Sequence, residues 1–189
     1  MRWYSARSFG LVVLASLACW PLAAQSPTYG LGRAPKPDEI KAWDFAIGPD
    51  GKELPPGSGS VAEGSKIYAA NCAGCHGKTG KEGPNDVLVG GQGTLNTSKP
   101  VKTVGSYWPY ATTVWDYINR SMPYNKPGSL SADQVYAVTA YLLSLNGIIK
   151  EDAVMDAKTL PQVKMPNRNG FIGDPRPDWK SPSPSVTSR

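Results

Sequence analysis

A small all-α domain, with short helices set between extended arms, is the fold class that this 189-residue sequence predicts. Two helix starts and one motif carry that expectation. "SVAEGSKIYAANC" places Ser60 and Glu63 at the S-x-x-E spacing of a capping box, and "LSADQVYAVTAYLLSLNG" repeats the device with Ser131 and Gln134. Between them the only histidine, His76, and two of the three cysteines, Cys72 and Cys75, fall within "CAGCH". No strand pattern precedes that motif.

The elements follow in order. Residues 1–24 carry Arg2 and Arg7, an apolar stretch from Phe9 to Ala18 and small residues before Gln25. This is the layout of a secretory signal peptide, too short for a comfortable membrane span, with cleavage expected after Ala24. Lipid attachment at Cys19 is not expected, because the preceding "SLA" lacks a leucine three positions before the cysteine. The mature protein would then have no transmembrane span. Residues 25–59, rich in Gly and Pro, read as an extended N-terminal arm with a short helix at "KPDEIKAWD", pinned to the domain by Trp43 and Phe45.

The domain itself is expected over residues 60–150. Its first helix runs from Ser60 to the CAGCH motif, with Ile67 and Tyr68 inward and Gly64 leaving room for a partner helix. Residues 78–109 lack helical periodicity and contain "VGGQG", so a loop this long needs something large to pack on. "ATTVWDYINRSMP" predicts a helix from about Thr112 to Arg120, halted by Pro123, with Val114, Trp115 and Ile118 inward. In the last helix Val135, Val138, Leu142 and Leu145 recur at helical spacing, Gly147 caps the end, and Tyr141 should pack over Gly64. Residues 151–189 turn polar and proline-rich, a C-terminal arm whose end, "SPSPSVTSR", is expected to be disordered.

The CAGCH stretch decides the chemistry. A structural zinc needs four ligands, and no second Cys or His pair exists to complete them. A thioredoxin-like pair belongs at the turn of a βαβ unit and leaves His76 without a task. A plain disulfide beside a chance histidine is the bland alternative. C-x-x-C-H is the attachment signature of a c-type haem, in which Cys72 and Cys75 form thioethers and His76 becomes the proximal iron ligand. Export agrees, since that attachment takes place outside the cytoplasm. The charge balance, 20 Lys and Arg against 15 Asp and Glu, includes no basic run with interleaved aromatics and does not point to nucleic acid.

The second axial position separates electron carriage from chemistry on a bound ligand. No histidine remains, so Met122, Met155 and Met165 are the candidates. Met122 lies between two helices, is stiffened by Pro123 and has the right chain order. Met165, in "KMPNRNG", repeats the Met-Pro pair and is the rival, although the tail would have to fold back. Met155 has no such framing. His76 with Met122 would fill both positions and raise the reduction potential relative to two nitrogen ligands.

These residues resemble the class I cytochromes c: a capped helix leading into Cys72-Ala73-Gly74-Cys75-His76, Gly83-Pro84 after it, Met122-Pro123, and a final helix bearing Tyr141. The resemblance implies the class I cytochrome c fold, short helices around one covalently bound haem c, and a carbonyl of Pro84 accepting a bond from the proximal imidazole. More narrowly, "TYGLGR", "LPPGSGS", "PVKTVGSYWPYATTVWDYINRSMP" and "MPNRNGF" resemble the cytochrome subunits of sulfane and sulfite dehydrogenases of bacterial sulfur-oxidising systems. Members of that family carry a second haem domain, and this chain holds no second C-x-x-C-H.

The resemblance implies a periplasmic monohaem electron carrier, not catalytic by itself, serving as subunit or redox partner of a molybdenum-dependent sulfur-compound dehydrogenase. A carrier for another periplasmic dehydrogenase, or a haem protein with a labile sixth ligand, are the alternatives. Within "SYWPY", Tyr107 or Trp108 either donates a hydrogen bond to a haem propionate or packs with its polar end at the surface. Arg120 either pairs with a propionate or lies exposed.

Overall fold

The computed structural model describes residues 29–173, so the expected signal peptide and the far C-terminal end lie outside the described residues. The chain divides at Lys41 and Ala42 into two units. In the first, Arg33 grips the Glu39 carboxylate through two nitrogens, at 2.7 and 2.5 Å, while that carboxylate also accepts the Lys36 N–H at 2.7 Å. The contacts fasten the opening turn of helix α1 (Pro37–Trp43), which buries none of its residues. Trp43 is 81% exposed and does not pin the arm as expected.

The second unit runs through β1 (Ser58–Ser60), α2 (Val61–Asn71), α3 (Ala73–His76), α4 (Ala111–Ser121), α5 (Ala132–Leu145), β2 (Val154–Asp156) and a 3-10 turn at Leu160–Gln162. It is helical as predicted, with one small addition. β1 and β2 pair antiparallel, Gly59 opposite Met155. Both capping boxes form. The Ser60 hydroxyl accepts the Glu63 N–H at 3.2 Å and the Glu63 carboxylate accepts the Ser60 N–H at 2.9 Å, with Ser131 and Gln134 arranged in the same way.

Helix α2 packs chiefly on α5. The crossing is close because Gly64 has no side chain: a Cβ there would collide with the Ala137 carbonyl and the Tyr141 side chain. One turn further along, Tyr68 and Tyr141 stack with ring centroids 5.3 Å apart, tilted by 57°. Val135, Val138 and Leu142 are buried, while Leu145 is only half-buried. The end of α5 is a Schellman turn, with Gly147 N–H on Ser144 O at 2.8 Å and Ile148 N–H on Leu143 O at 3.0 Å. Helix α4 presents Val114, Trp115 and Ile118 to the core, and Trp115 tilts against Tyr136 at 5.4 Å.

Both arms contribute more to the core than expected. From the N-terminal side Ile47 and Leu54 are buried, the Ile47 N–H donates to Asp116 Oδ1 at 3.1 Å, and the Pro55 carbonyl accepts the Tyr136 hydroxyl at 2.9 Å. From the C-terminal side Met155, Leu160, Val163 and Met165 join the same cluster. Short apolar runs among Gly and Pro carry no periodicity, so their burial depends on the groove left beside α4 and α5. The boundaries at 59 and 151 therefore cut through the packed unit.

Gly64→Ala should destabilise the haem-loaded protein by about 1–3 kcal/mol, because the obstacle is backbone and cannot move aside. Gly173→Ala, where an added Cβ meets nothing within 4 Å, should stay within about 0.5 kcal/mol. Denaturant unfolding of the two variants checks both.

Candidate haem site

One helical turn assembles the donor set. The carbonyl of Cys72 accepts from Cys75 N–H at 3.1 Å and His76 N–H at 3.0 Å, so residues i, i+3 and i+4 stand on one face. The loop that follows is drawn tightly back: Asn85 N–H donates to Cys75 O at 3.0 Å, and a Cβ on Gly83 would collide with that same carbonyl. This return brings the Asp86 carbonyl to 2.8 Å from His76 Nδ1. A carbonyl can only accept, so Nδ1 carries the proton and Nε2 is left with its lone pair for a metal. The acceptor is Asp86 and not Pro84. The turn at 83–85 is closed by its bonds to Cys75, and it is the carbonyl two residues later that reaches the ring.

A cavity of 1190 Å³ opens beside this turn, above the ~300–1,000 Å³ range of ordinary ligand pockets. Cys72, Cys75 and His76 line it together with Met122, and its apolar wall includes Leu88, Val104, Ile118, Leu130, Val138 and Leu142. Two thiols, one imidazole nitrogen and one thioether on a single large apolar cavity suit a covalently attached haem. The Cys72 thiol lacks the character of a redox dithiol. Burial, reinforced by Cys75, pushes the Cys72 thiol up to about 11. Reactive dithiols are shifted the other way, toward the thiolate.

Met122 is the C-cap of α4, its N–H donating to Ile118 O at 3.0 Å, and it lines the cavity with Pro123. Met155 and Met165 are buried in the core cluster and are not among the cavity-lining residues. Pro84 and Trp108 line the cavity, the indole packed edge-on to Tyr117 at 5.6 Å. Tyr107 does not. Its ring meets Phe171 edge-on at 5.3 Å. Arg120 turns away to Asp116, with Nε 2.9 Å from Oδ1, and holds in place the carboxylate that fastens Ile47.

The site also depends on Asn146, which sequence reading did not single out. Its side-chain carbonyl accepts the Gly90 N–H at 3.0 Å, while its amide donates to Leu88 O at 3.2 Å and Leu142 O at 2.9 Å. The loop over the cavity is thereby tied to the end of α5. Thr103 adds a bond from its hydroxyl to the Gly90 carbonyl at 2.5 Å. The one local signal for Asn146 was its position directly before the capping glycine.

Comparison with known proteins agrees with this geometry. The family model for cytochrome c matches residues 61–146. The fold resembles a chain of the crystal structure of the sulfane dehydrogenase SoxCD from Paracoccus pantotrophus with a TM-score of 0.70 and 47% identity, covering 86% of this chain and 79% of that one. Over 117 residues the chain is 32% identical to a thiosulfate dehydrogenase of Stutzerimonas stutzeri (strain A1501), covering 54% of this chain and 36% of that protein. It thus spans little more than a third of that relative's length. The chain belongs to the cytochrome c family, with a class I fold and covalently bound haem c as its cofactor.

Replacing both Cys72 and Cys75 with Ser should leave a polypeptide whose haem is lost on denaturation. Denaturing electrophoresis with a haem stain checks this: wild type should stain and the double variant should not.

Proposed function

We propose that this chain is an exported, periplasmic monohaem electron carrier, the cytochrome subunit or redox partner of a sulfur-compound dehydrogenase. Cys72 and Cys75 hold the haem through thioethers, and His76 and Met122 are its axial ligands. The observation that carries the reading is that Met122, alone of the three methionines outside the expected signal peptide, shares the cavity with Cys72, Cys75 and His76. When bound, a haem with His/Met ligation supplies a one-electron couple at a raised potential.

The chain's own groups do the rest. Asp86 holds the His76 ring in one tautomer and orientation, which strengthens the imidazole as a donor. Pro123 and the end of α4 restrict the backbone that presents Met122. The apolar wall that includes Val104, Val138 and Leu142 offers an apolar ring a surface to pack on. Such a centre exchanges an electron with little rearrangement, as a carrier requires.

The sulfur-compound assignment draws on the likeness to the sulfane dehydrogenase chain and to the thiosulfate dehydrogenase. The partner would be the catalytic dehydrogenase subunit, of the molybdenum-dependent kind that the sequence resemblance implies. Among the described residues no helix is long and apolar enough to cross a membrane.

Met122→Ala should abolish the weak near-infrared sulfur-to-iron absorption of the oxidised protein and lower its reduction potential, whereas Met165→Ala should retain the band. Loss of the band in Met165→Ala alone would assign the ligand to the tail. Purification of the native protein with its companions tests the partner, since a dehydrogenase subunit should co-purify.

A further inference from the structure

Tyr107 is not among the cavity-lining residues, and its ring helps to build a surface at the cavity's edge. Lys102 lines the cavity and carries its ammonium 5.0 Å from the centre of the Tyr107 ring. Phe171, 53% exposed, meets the same ring edge-on at 5.3 Å, and Ile172 beside it is 90% exposed. Arg168 places its guanidinium 5.1 Å over Tyr110. The strip is fastened from beneath, where the Asn167 amide donates to the Tyr107 carbonyl at 2.8 Å. The result is a cluster of aromatic and aliphatic side chains with two cations over its tyrosine rings, reaching the cavity through Lys102 and Trp108.

We propose that this Lys102–Tyr107–Tyr110–Arg168–Phe171 surface is the docking site of the dehydrogenase partner, which meets it with an apolar centre flanked by carboxylates; the proposal rests on the electron-transfer reading above. Aromatic side chains and arginine are enriched where protein interfaces gain their affinity. Both cations lie over aromatic rings, so less side-chain freedom is lost when they are engaged. Among the described residues neither forms an ion pair. A second copy of this chain is a poor occupant. A two-fold contact would set the patch against itself, cation facing cation, on a protein that keeps a net positive charge even without Arg2 and Arg7. Docking here brings the partner beside the cavity, where an electron must pass.

The test uses full-length haem-loaded protein and the dehydrogenase subunit that co-purifies with the native chain. Arg168→Glu, and Lys102→Glu with Arg168→Glu, should slow haem reduction by that subunit roughly tenfold or more at low ionic strength and flatten its salt dependence. Phe171→Ser should weaken binding at every salt concentration. Lys66→Glu, a matched charge reversal on α2, should change neither. Absorption spectra identical to wild type establish that each variant holds its haem. Rates and salt dependence unchanged in both charge variants would overturn the proposal. So would wild-type self-association that the same variants abolish, or wild-type binding to anionic vesicles and not to the subunit. If no dehydrogenase subunit co-purifies with wild type, the electron-transfer pairing itself fails and the docking site falls with it.

Discussion

The close crossing of α2 and α5 at Gly64 is the constraint from which the rest of the site follows. Because the Gly64 backbone lies against the Ala137 carbonyl, and Tyr68 packs on Tyr141 one turn later, α2 is held to the longest helix of the unit. The CAGCH turn continues directly from α2, so its position relative to α5 is set by the same contact. At its far end α5 holds Asn146, which is anchored on Leu142 O and whose bonds to Gly90 N–H and Leu88 O fasten the loop at 88–90. That loop leads back through Asp86 to His76. Helix contact, loop and imidazole form one closed circuit of packing and hydrogen bonds.

The Met122 side is held by a different circuit. Asp116 is a buried carboxylate that accepts both from Arg120 and from the Ile47 backbone. Leaving such a group unpaired is costly, so both partners keep their places. Asp116 and Arg120 lie in the last two turns of α4, and Met122 follows at its C-cap. The segment before β1 thus supports the helix from which the methionine projects. Two circuits, one for each candidate axial side chain, provide the rigidity that an electron-transfer centre needs.

The arms serve the domain in two ways. Ile47, Leu54, Leu160 and Met165 fill the core and join it to β1 and β2, which close the chain on itself. Phe45 and Phe171, each about half exposed, sit beneath or beside cations and tyrosines at the surface. A small cytochrome domain is extended in this way without another helix bundle. The added segments use side-chain packing and turn bonds in place of long secondary structure.

Local chemistry made much of this legible from sequence. Ser60 with Glu63 and Ser131 with Gln134 announce their helices because a capping box is satisfied within four residues. Cys72, Cys75 and His76 declare a haem because one turn of chain brings them together. Met122 could be ranked by chain order but not chosen outright over Met165, since both stand before proline.

Other features required contacts between residues far apart in sequence. The Asp86 carbonyl, rather than that of Pro84, reaches His76 only because Asn85 is tied to Cys75 and Gly83 lies against it. Asn146 could be read as a helix end but not as the clamp on residues 88–90, more than fifty positions earlier. Tyr107 and Trp108 are neighbours in a single pentapeptide, yet one lines the cavity and the other meets Phe171. By itself the sequence determined the helices, the haem motif and the family resemblance, because each is written in short-range pattern. Only the tertiary structure decided which methionine shares the cavity, which carbonyl orients the histidine and how far the arms are buried, because backbone groups and packing partners carry no residue signature until the chain closes on itself.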